Sequence, residues 1–183
     1  MTPVLETRRL ILRPVTLADA PSMQRYFNNW DIIKNLGPGV PWPYPMDGSE
    51  TFLRDIALPA VARGDIQFWG ITLRGVDEVI GIIEFRPKAN DPNGDRGFWL
   101  AEPFWGQGLM SEATAAVNDY IFDVMGLESF IEHNSITNTA SHALKLQWNA
   151  EFIGDEPAVY RNGSTKTEIW RITRDGWRAR KPA

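Results

Sequence analysis

The segment Trp99-Leu-Ala-Glu-Pro-Phe-Trp-Gly-Gln-Gly-Leu-Met-Ser-Glu-Ala113 constrains the fold more than any other stretch of the chain. An apolar run passes through Pro103 into a loop holding Gly106 and Gly108. A helical pattern follows, in which Ala113, Ala116, Val117, Tyr120, Ile121 and Val124 share one face. Backbone N–H groups at such a helix start have no partner within the helix, and the helix dipole adds partial positive charge, so a pyrophosphate fits there. Glycine lets the phosphate approach. By itself the signal is weak: two glycines before a helix are more often a plain turn, and neither the Walker lysine pattern nor the full dinucleotide fingerprint is present.

The flanking sequence supplies the context. Arg9-Leu-Ile-Leu-Arg-Pro-Val15 is a branched apolar run closed by proline, which suits an opening strand. Thr16 and Asp19 form a capping pattern for a helix that buries Ala20, Met23 and Phe27. Leu36-Gly-Pro-Gly-Val-Pro-Trp-Pro-Tyr-Pro45 cannot continue a helix and reads as an aromatic loop carrying Trp42 and Tyr44. Asp47 and Glu50 then cap a second helix, disturbed by Pro59 and closed by Gly64. From Gln67 the period changes to two: residues 67–73 and 79–86 read as a hairpin, Asp91-Pro-Asn-Gly-Asp95 as a turn, and residues 97–101 as a short strand. Gly126 closes the long helix. Residues 127–133 read as a strand, 138–148 as a helix, and 151–160 with 164–173 as a final hairpin around Arg161-Asn-Gly163. The basic end, Arg171, Arg174, Arg178, Arg180 and Lys181, reads as a frayed terminus. No repeat or linker divides the 183 residues, so a single domain over 1–183 is expected.

Phe104-Trp-Gly-Gln-Gly-Leu-Met-Ser-Glu-Ala113, followed further along by Asn138-Thr-Ala-Ser141 on a helix, resembles the GNAT N-acetyltransferases. The Thr7-Arg-Arg-Leu-Ile-Leu-Arg13 opening resembles the branch that includes enzymes acetylating N-termini of ribosomal proteins. Trp105 and Met110 stand where the wider superfamily has Gln or Arg and Gly or Ala, and both look familiar in that branch. Asn149 stands where a capping glycine is usual, and Asn is the next-best residue for a left-handed cap.

What the resemblance implies is a mixed α/β (α+β) fold: a central twisted mixed sheet of about six or seven strands with helices on both faces. It also implies an acetyl-CoA site. Trp99, Leu100 and Ala101 would pair with the pantetheine arm through their backbone, between two strands that splay to admit it. Gly106, Gln107, Gly108, Leu109, Met110 and Ser111 would hold the pyrophosphate through main-chain N–H groups, Asn138 the pantetheine amide region, and Trp105 would belong to the same cofactor site. Ser141 becomes a candidate acid, delivering a proton toward the departing CoA sulfur. A first-turn hydroxyl bonding backbone is an equal alternative.

Acetyl transfer needs a neutral amine attacking the thioester carbonyl, so a base must take its proton. Glu84 and Asp95 are the candidates, each weighed against a solvated strand-edge acid. Trp42 and Tyr44, in a proline-stiffened loop, are expected to line the acceptor pocket. The chain has no Cys, which excludes a cysteine-bound acyl intermediate, a disulfide and a thiolate metal site. His133 and His142 lie on different elements with no completing cluster, so no metal is expected. A hydrolase triad of Ser141, His142 and Asp155 lacks the nucleophile-elbow motif.

Lys and Arg total 19 against 23 Asp and Glu, a net charge of -4 and the wrong sign for coating nucleic acid. No apolar run approaches the ~20 residues that span a bilayer, and residues 1–13 lack the apolar core of a signal peptide. The expectation is therefore a cytoplasmic, acetyl-CoA-dependent N-acetyltransferase acting on a primary amine, either a protein N-terminus or a small amine. It has no nucleic-acid or membrane partner, and exposed strand edges are compatible with a homodimer. A catalytically silent CoA-binding sensor or interaction domain is the competing reading. Nucleotide phosphate transfer is disfavoured, since no lysine follows Gly108.

Overall fold

In the computed structural model, which describes residues 1–88 and 91–180, the chain enters through β1 (Leu5–Glu6) and β2 (Leu10–Pro14). Thr16 opens the next turn as its pattern predicts: its N–H donates to Asp19 Oδ2 at 2.8 Å, and α1 (Ala20–Phe27) follows. After the short α2 (Trp30–Ile33) and the proline loop comes α3 (Gly48–Phe52), a π-helical turn over Leu53–Ala57, and α4 (Leu58–Arg63). The widened turn lies just before Pro59, which has no N–H to return to the carbonyl four residues back. Gly64 ends the path in the left-handed region.

β3 (Gln67–Leu73) runs antiparallel between β2 and β4 (Gly81–Lys88), and β5 (Asp91–Leu100) is antiparallel to β4. The predicted turn at residues 91–95 is strand instead. Asn-Gly is locally turn-prone, but ladder pairs such as Arg86 with Asp95 and Phe85 with Arg96 override it. Gly94 is there for room: a Cβ would stand 2.2 Å from Phe85 Cζ.

Next come α5 (Leu109–Asp119), continued by a π-helical turn over Tyr120–Val124, then β6 (Ser129–Ser135) and α6 (Thr139–Gln147). The chain closes with β7 (Glu151–Pro157), β8 (Lys166–Thr173) and α7 (Arg174–Ala179). Asn149 takes φ 56°, so it does perform the left-handed turn after α6. The basic end is not frayed through residue 179, because α7 buries Trp177, whose Nε1 donates to Asp119 Oδ1 at 2.7 Å. Lys181 lies outside the described residues.

These strands form one open, mixed eight-stranded sheet in the order β1-β2-β3-β4-β5-β6-β8-β7, with only β5 and β6 parallel. The strand beyond the expected number is β1, whose two residues are too short to show a period. Side chains alternate across the sheet into two cores. On one face Leu12, Ile71, Ile83, Phe85 and Phe130 meet Ala113 and Val117 of α5, with Trp148 and Trp177. On the other, Phe68, Val79 and Ile82 meet Met23 of α1, with Leu53 and Ala57. Among the described residues, no helix is long and apolar enough to cross a membrane.

Candidate active site

β5 and β6 pair only from Asn93 with Ser129 to Asp95 with Ile131, and then part. The β5 edge beyond residue 95 is left without a strand on that side. A cavity of about 530 Å³ opens in the gap, lined by Trp99, Leu100, Trp105, Gly106, Gly108, Leu109, Met110, Ser111, Asn138 and Ser141, within the usual size range for small-molecule sites. Ten of the twelve residues expected to bind the co-substrate therefore meet in one place. The other two stand just behind. Ala101 is buried, and Gln107 folds back so that its Nε2 donates to Pro103 O at 3.0 Å.

The loop between β5 and α5 leaves backbone donors unpaired, an arrangement that suits an anion. Gly106 and Gly108 take φ 71° and 72°, a region costly for residues with a Cβ, and nothing lies within 4 Å of where a Gly106 Cβ would be. With Gly108 as N-cap, no capping side chain takes the first-turn donors of α5. The loop is also braced from behind. Arg9 Nη1 donates to Gln107 O at 2.9 Å, and Arg9 Nε pairs with Glu112 Oε2 at 2.6 Å. Thr7 Oγ1 and the Arg9 N–H donate to Glu112 Oε1 at 2.6 and 2.8 Å. Burial pushes the Glu112 carboxyl upward, but these donors outweigh it and hold its pKa below the usual value.

Across the cavity, Asn138 caps α6, its Oδ1 accepting from the Ser141 N–H at 3.2 Å. Ser141 Oγ accepts from Lys145 Nζ at 2.7 Å, and Lys145 Nζ lies 2.8 Å from Glu132 Oε2. Glu132 Oε1 is bound by Arg96 Nε, and Arg96 Nη1 donates to Asn118 Oδ1. Arg96, Glu132 and Lys145 are all buried. Residues 34–36 form the outer wall, tied to the β7–β8 connection by Arg161 N–H to Leu36 O at 3.1 Å and Asn162 N–H to Lys34 O at 2.9 Å.

The predicted base and acceptor residues stand outside this cavity's lining. Glu84 pairs in register with Gly97, two residues along the same strand face from Trp99, and a Cβ at Gly97 would meet nothing within 4 Å. The sheet surface beside Glu84 is thus open on that side. Burial pushes the Glu84 carboxyl above its ordinary pKa, opposed by Arg86 at 2.6 Å and reinforced by Asp95. Asp95 lies 4.0 Å from Arg86 Nη1 and 3.7 Å from His133 Nδ1. Trp42 packs on Trp30, with centroids 5.2 Å apart. Tyr44 reaches the site only through rings: Tyr44 on Phe27 and Phe27 on Trp99, each at 5.1 Å. His142, expected as a surface residue, is partly exposed, with Nδ1 3.1 Å from Glu168 Oε2.

A model of the acetyltransferase (GNAT) domain matches residues 9–146. The chain belongs to the GNAT family. It is 28% identical over 177 residues, 95% of its own length and 98% of the relative's, to "Uncharacterized N-acetyltransferase YoaA" of Bacillus subtilis (strain 168). Among solved structures it resembles RimL, the ribosomal L7/L12 alpha-N-protein acetyltransferase in complex with coenzyme A. The TM-score is 0.81 at 18% identity, covering 95% of this chain and 99% of that one. It also resembles the ribosomal-protein-S5-alanine acetyltransferase from Vibrio fischeri, with a TM-score of 0.80 at 15% identity, covering 98% and 100%. As a GNAT chain it is an acyltransferase, and the fold that the resemblance implied is the fold observed.

Sequence reasoning missed three parts of this GNAT site. Lys145 sits four residues after Ser141, a spacing that places both on one helical face, so the signal was there to find. Arg9 and Glu112 are 103 positions apart, and the outer wall at residues 34–36 joins loops that nothing in the local pattern connects.

Proposed function

We propose that this chain, as one acetyltransferase domain over 1–183, moves an acetyl group directly from acetyl-CoA to a primary amine. The observation that carries the reading is a single cavity bounded by an unpaired β5 edge, the glycine-capped start of α5 and the Ser141 hydroxyl. Acetyl-CoA supplies an activated acyl group. The N–H groups at the start of α5 bind its pyrophosphate, and residues 98–100 offer backbone to the amide-bearing arm. Asn138 orients that arm where it passes α6.

Glu84 takes the proton from the amine, directly or through water. Its raised pKa brings it nearer the operating pH, which is where a general base is most effective. Asp95, more exposed and shared between Arg86 and His133, is the weaker candidate. Ser141 donates a proton to the sulfur. Trp42 and Tyr44 line the route by which the acceptor arrives, and the Tyr44–Phe27–Trp99 ring contacts support this by joining that loop to the cavity wall. The acceptor placed first is an N-terminal Ser or Ala of a ribosomal protein, on the strength of the ribosomal-protein serine and S5 alanine named for two structural neighbours, with small primary amines next.

The test is calorimetric titration with acetyl-CoA of the wild type and of Gly108→Glu, whose side chain strains the left-handed N-cap and repels the pyrophosphate. Binding by the wild type and its loss in the variant supports the donor site. An amine screen by released CoA thiol then follows, free of background because the chain has no Cys. No binding by the wild type refutes the reading, and binding with no amine ever acetylated leaves a silent CoA-binding domain.

A further inference from the structure

Of the buried titratable side chains that the mechanism above leaves unused, Lys145 touches a residue that it does use, Ser141. Lys145 is 1% exposed on the side of the sheet that α5 and α6 cover, and an apolar residue would occupy that place without losing hydration. Its charge is not needed to neutralise Glu132, which already has a buried guanidinium partner in Arg96. The groups facing Lys145 are Arg96 from β5, Glu132 from β6, Glu168 from β8, and Ser141 on its own helix. Two buried cations around one buried carboxylate is a poor arrangement for stability alone. It becomes intelligible from the remaining contact: Lys145 Nζ donates to Ser141 Oγ at 2.7 Å, and Ser141 lines the cavity. A hydroxyl that accepts from an ammonium keeps its single proton for another acceptor.

We propose that Lys145 acts through Ser141, turning the hydroxyl so that its proton faces the CoA sulfur and replacing that proton as the carbon–sulfur bond breaks. This rests on the acetyl-transfer reading, with Ser141 as the acid. The amine electron pair forms the C–N bond, the C–S bond breaks with its pair on sulfur, the Ser141 proton goes to sulfur, and a Lys145 Nζ proton goes to Ser141 oxygen. The surplus proton of the amine leaves through Glu84. Lys145 regains a proton from water by way of Ser141 once the thiol has gone, so charge balances over a turnover. Burial lowers the pKa of Lys145 despite the opposing pull of Glu132, which makes the ammonium a better proton donor than an ordinary lysine.

The experiment measures kcat, with the amine that turns over fastest in the screen above, for wild type, Ser141→Ala, Lys145→Met, Lys145→Gln and the double variant Ser141→Ala with Lys145→Met. Calorimetry with acetyl-CoA shows which variants keep a folded donor site. Ser141→Ala is expected to lose about 10²-fold in kcat, at the lower end of general-acid effects, and Lys145→Met a similar factor with acetyl-CoA affinity retained. The double variant should be no slower than Ser141→Ala alone, because one residue acts through the other. The alkaline fall in wild-type kcat should be absent from both Lys145 variants, a change that a purely structural role would not produce. Wild-type kcat in Lys145→Met or Lys145→Gln, or multiplying losses in the double variant, overturns this inference while leaving acetyl transfer intact. An undiminished Ser141→Ala, or a wild type that binds acetyl-CoA and acetylates no amine, removes the acid reading and this inference together.

Discussion

Between β2 and β4, the sheet face under α5 is Leu10, Leu12, Trp69, Ile71, Ile83 and Phe85, whereas from β5 to β8 the same face carries Arg96, Glu132, Asn134 and Glu168, with Lys145 packed over it from α6. The first half is held by apolar area and close packing, which tolerate small losses. The second half buries charges, which have given up hydration and depend on each other to offset that cost. The polar half is the one that borders the cavity. Burial there encloses charged groups in place of apolar area.

Charge deletion sets the two halves furthest apart. Glu132→Ala removes the carboxylate that touches both Arg96 and Lys145, leaving Lys145 only the field of Glu168, and should cost about 3–5 kcal/mol. Ile71→Val in the apolar half should cost about 1 kcal/mol. Urea denaturation of both variants measures the difference, and near-equal losses would show that the charges of the second half are not truly dry. A smaller effect tests the backbone of that half: Asn149→Ala keeps φ 56° without an amide side chain and should lose about 1 kcal/mol in the same assay.

The smallest effect concerns the brace of the first half. Glu112 has a folded-state pKa below its unfolded one, so the unfolded chain takes up the proton first as pH falls. The stabilisation is fully present above about pH 4.3 and is lost as pH drops through the folded value. Arg9→Met should flatten this acid limb in denaturation midpoints measured against pH by slightly lowering the pH 7 value while leaving the acid end unchanged, a small loss because Arg9 is partly exposed and screened by water.

Much of this architecture was legible because it rests on local chemistry. The Thr16–Asp19 cap, the glycines at 106 and 108 and the cap at Asn149 each follow from what one residue type allows its own backbone. The glycine loop and the helix led by Asn138 were paired through the family resemblance, and the structure lines one cavity with both. The errors fall where distant partners decide. Asn93-Gly94 reads as a turn until Phe85 and Arg96 pair across it, and Arg174 begins a helix because Trp177 finds Asp119 on α5. The same limit hid the brace on the glycine loop, since Arg9 and Glu112 have no local relationship.

The amino-acid sequence by itself therefore determined most of the elements and the glycine-led start of α5, properties of short segments whose backbone preferences and periodicities are intrinsic, while the family was legible through the resemblance of its motifs. The tertiary structure decided where β5 and β6 part, which carboxylate is desolvated, and that Lys145 stands behind Ser141 beside Glu132 and Arg96. Those are matters of burial and of contacts between segments far apart in the chain. A charge in a sequence carries no mark of the dielectric it will meet, and only packing sets that.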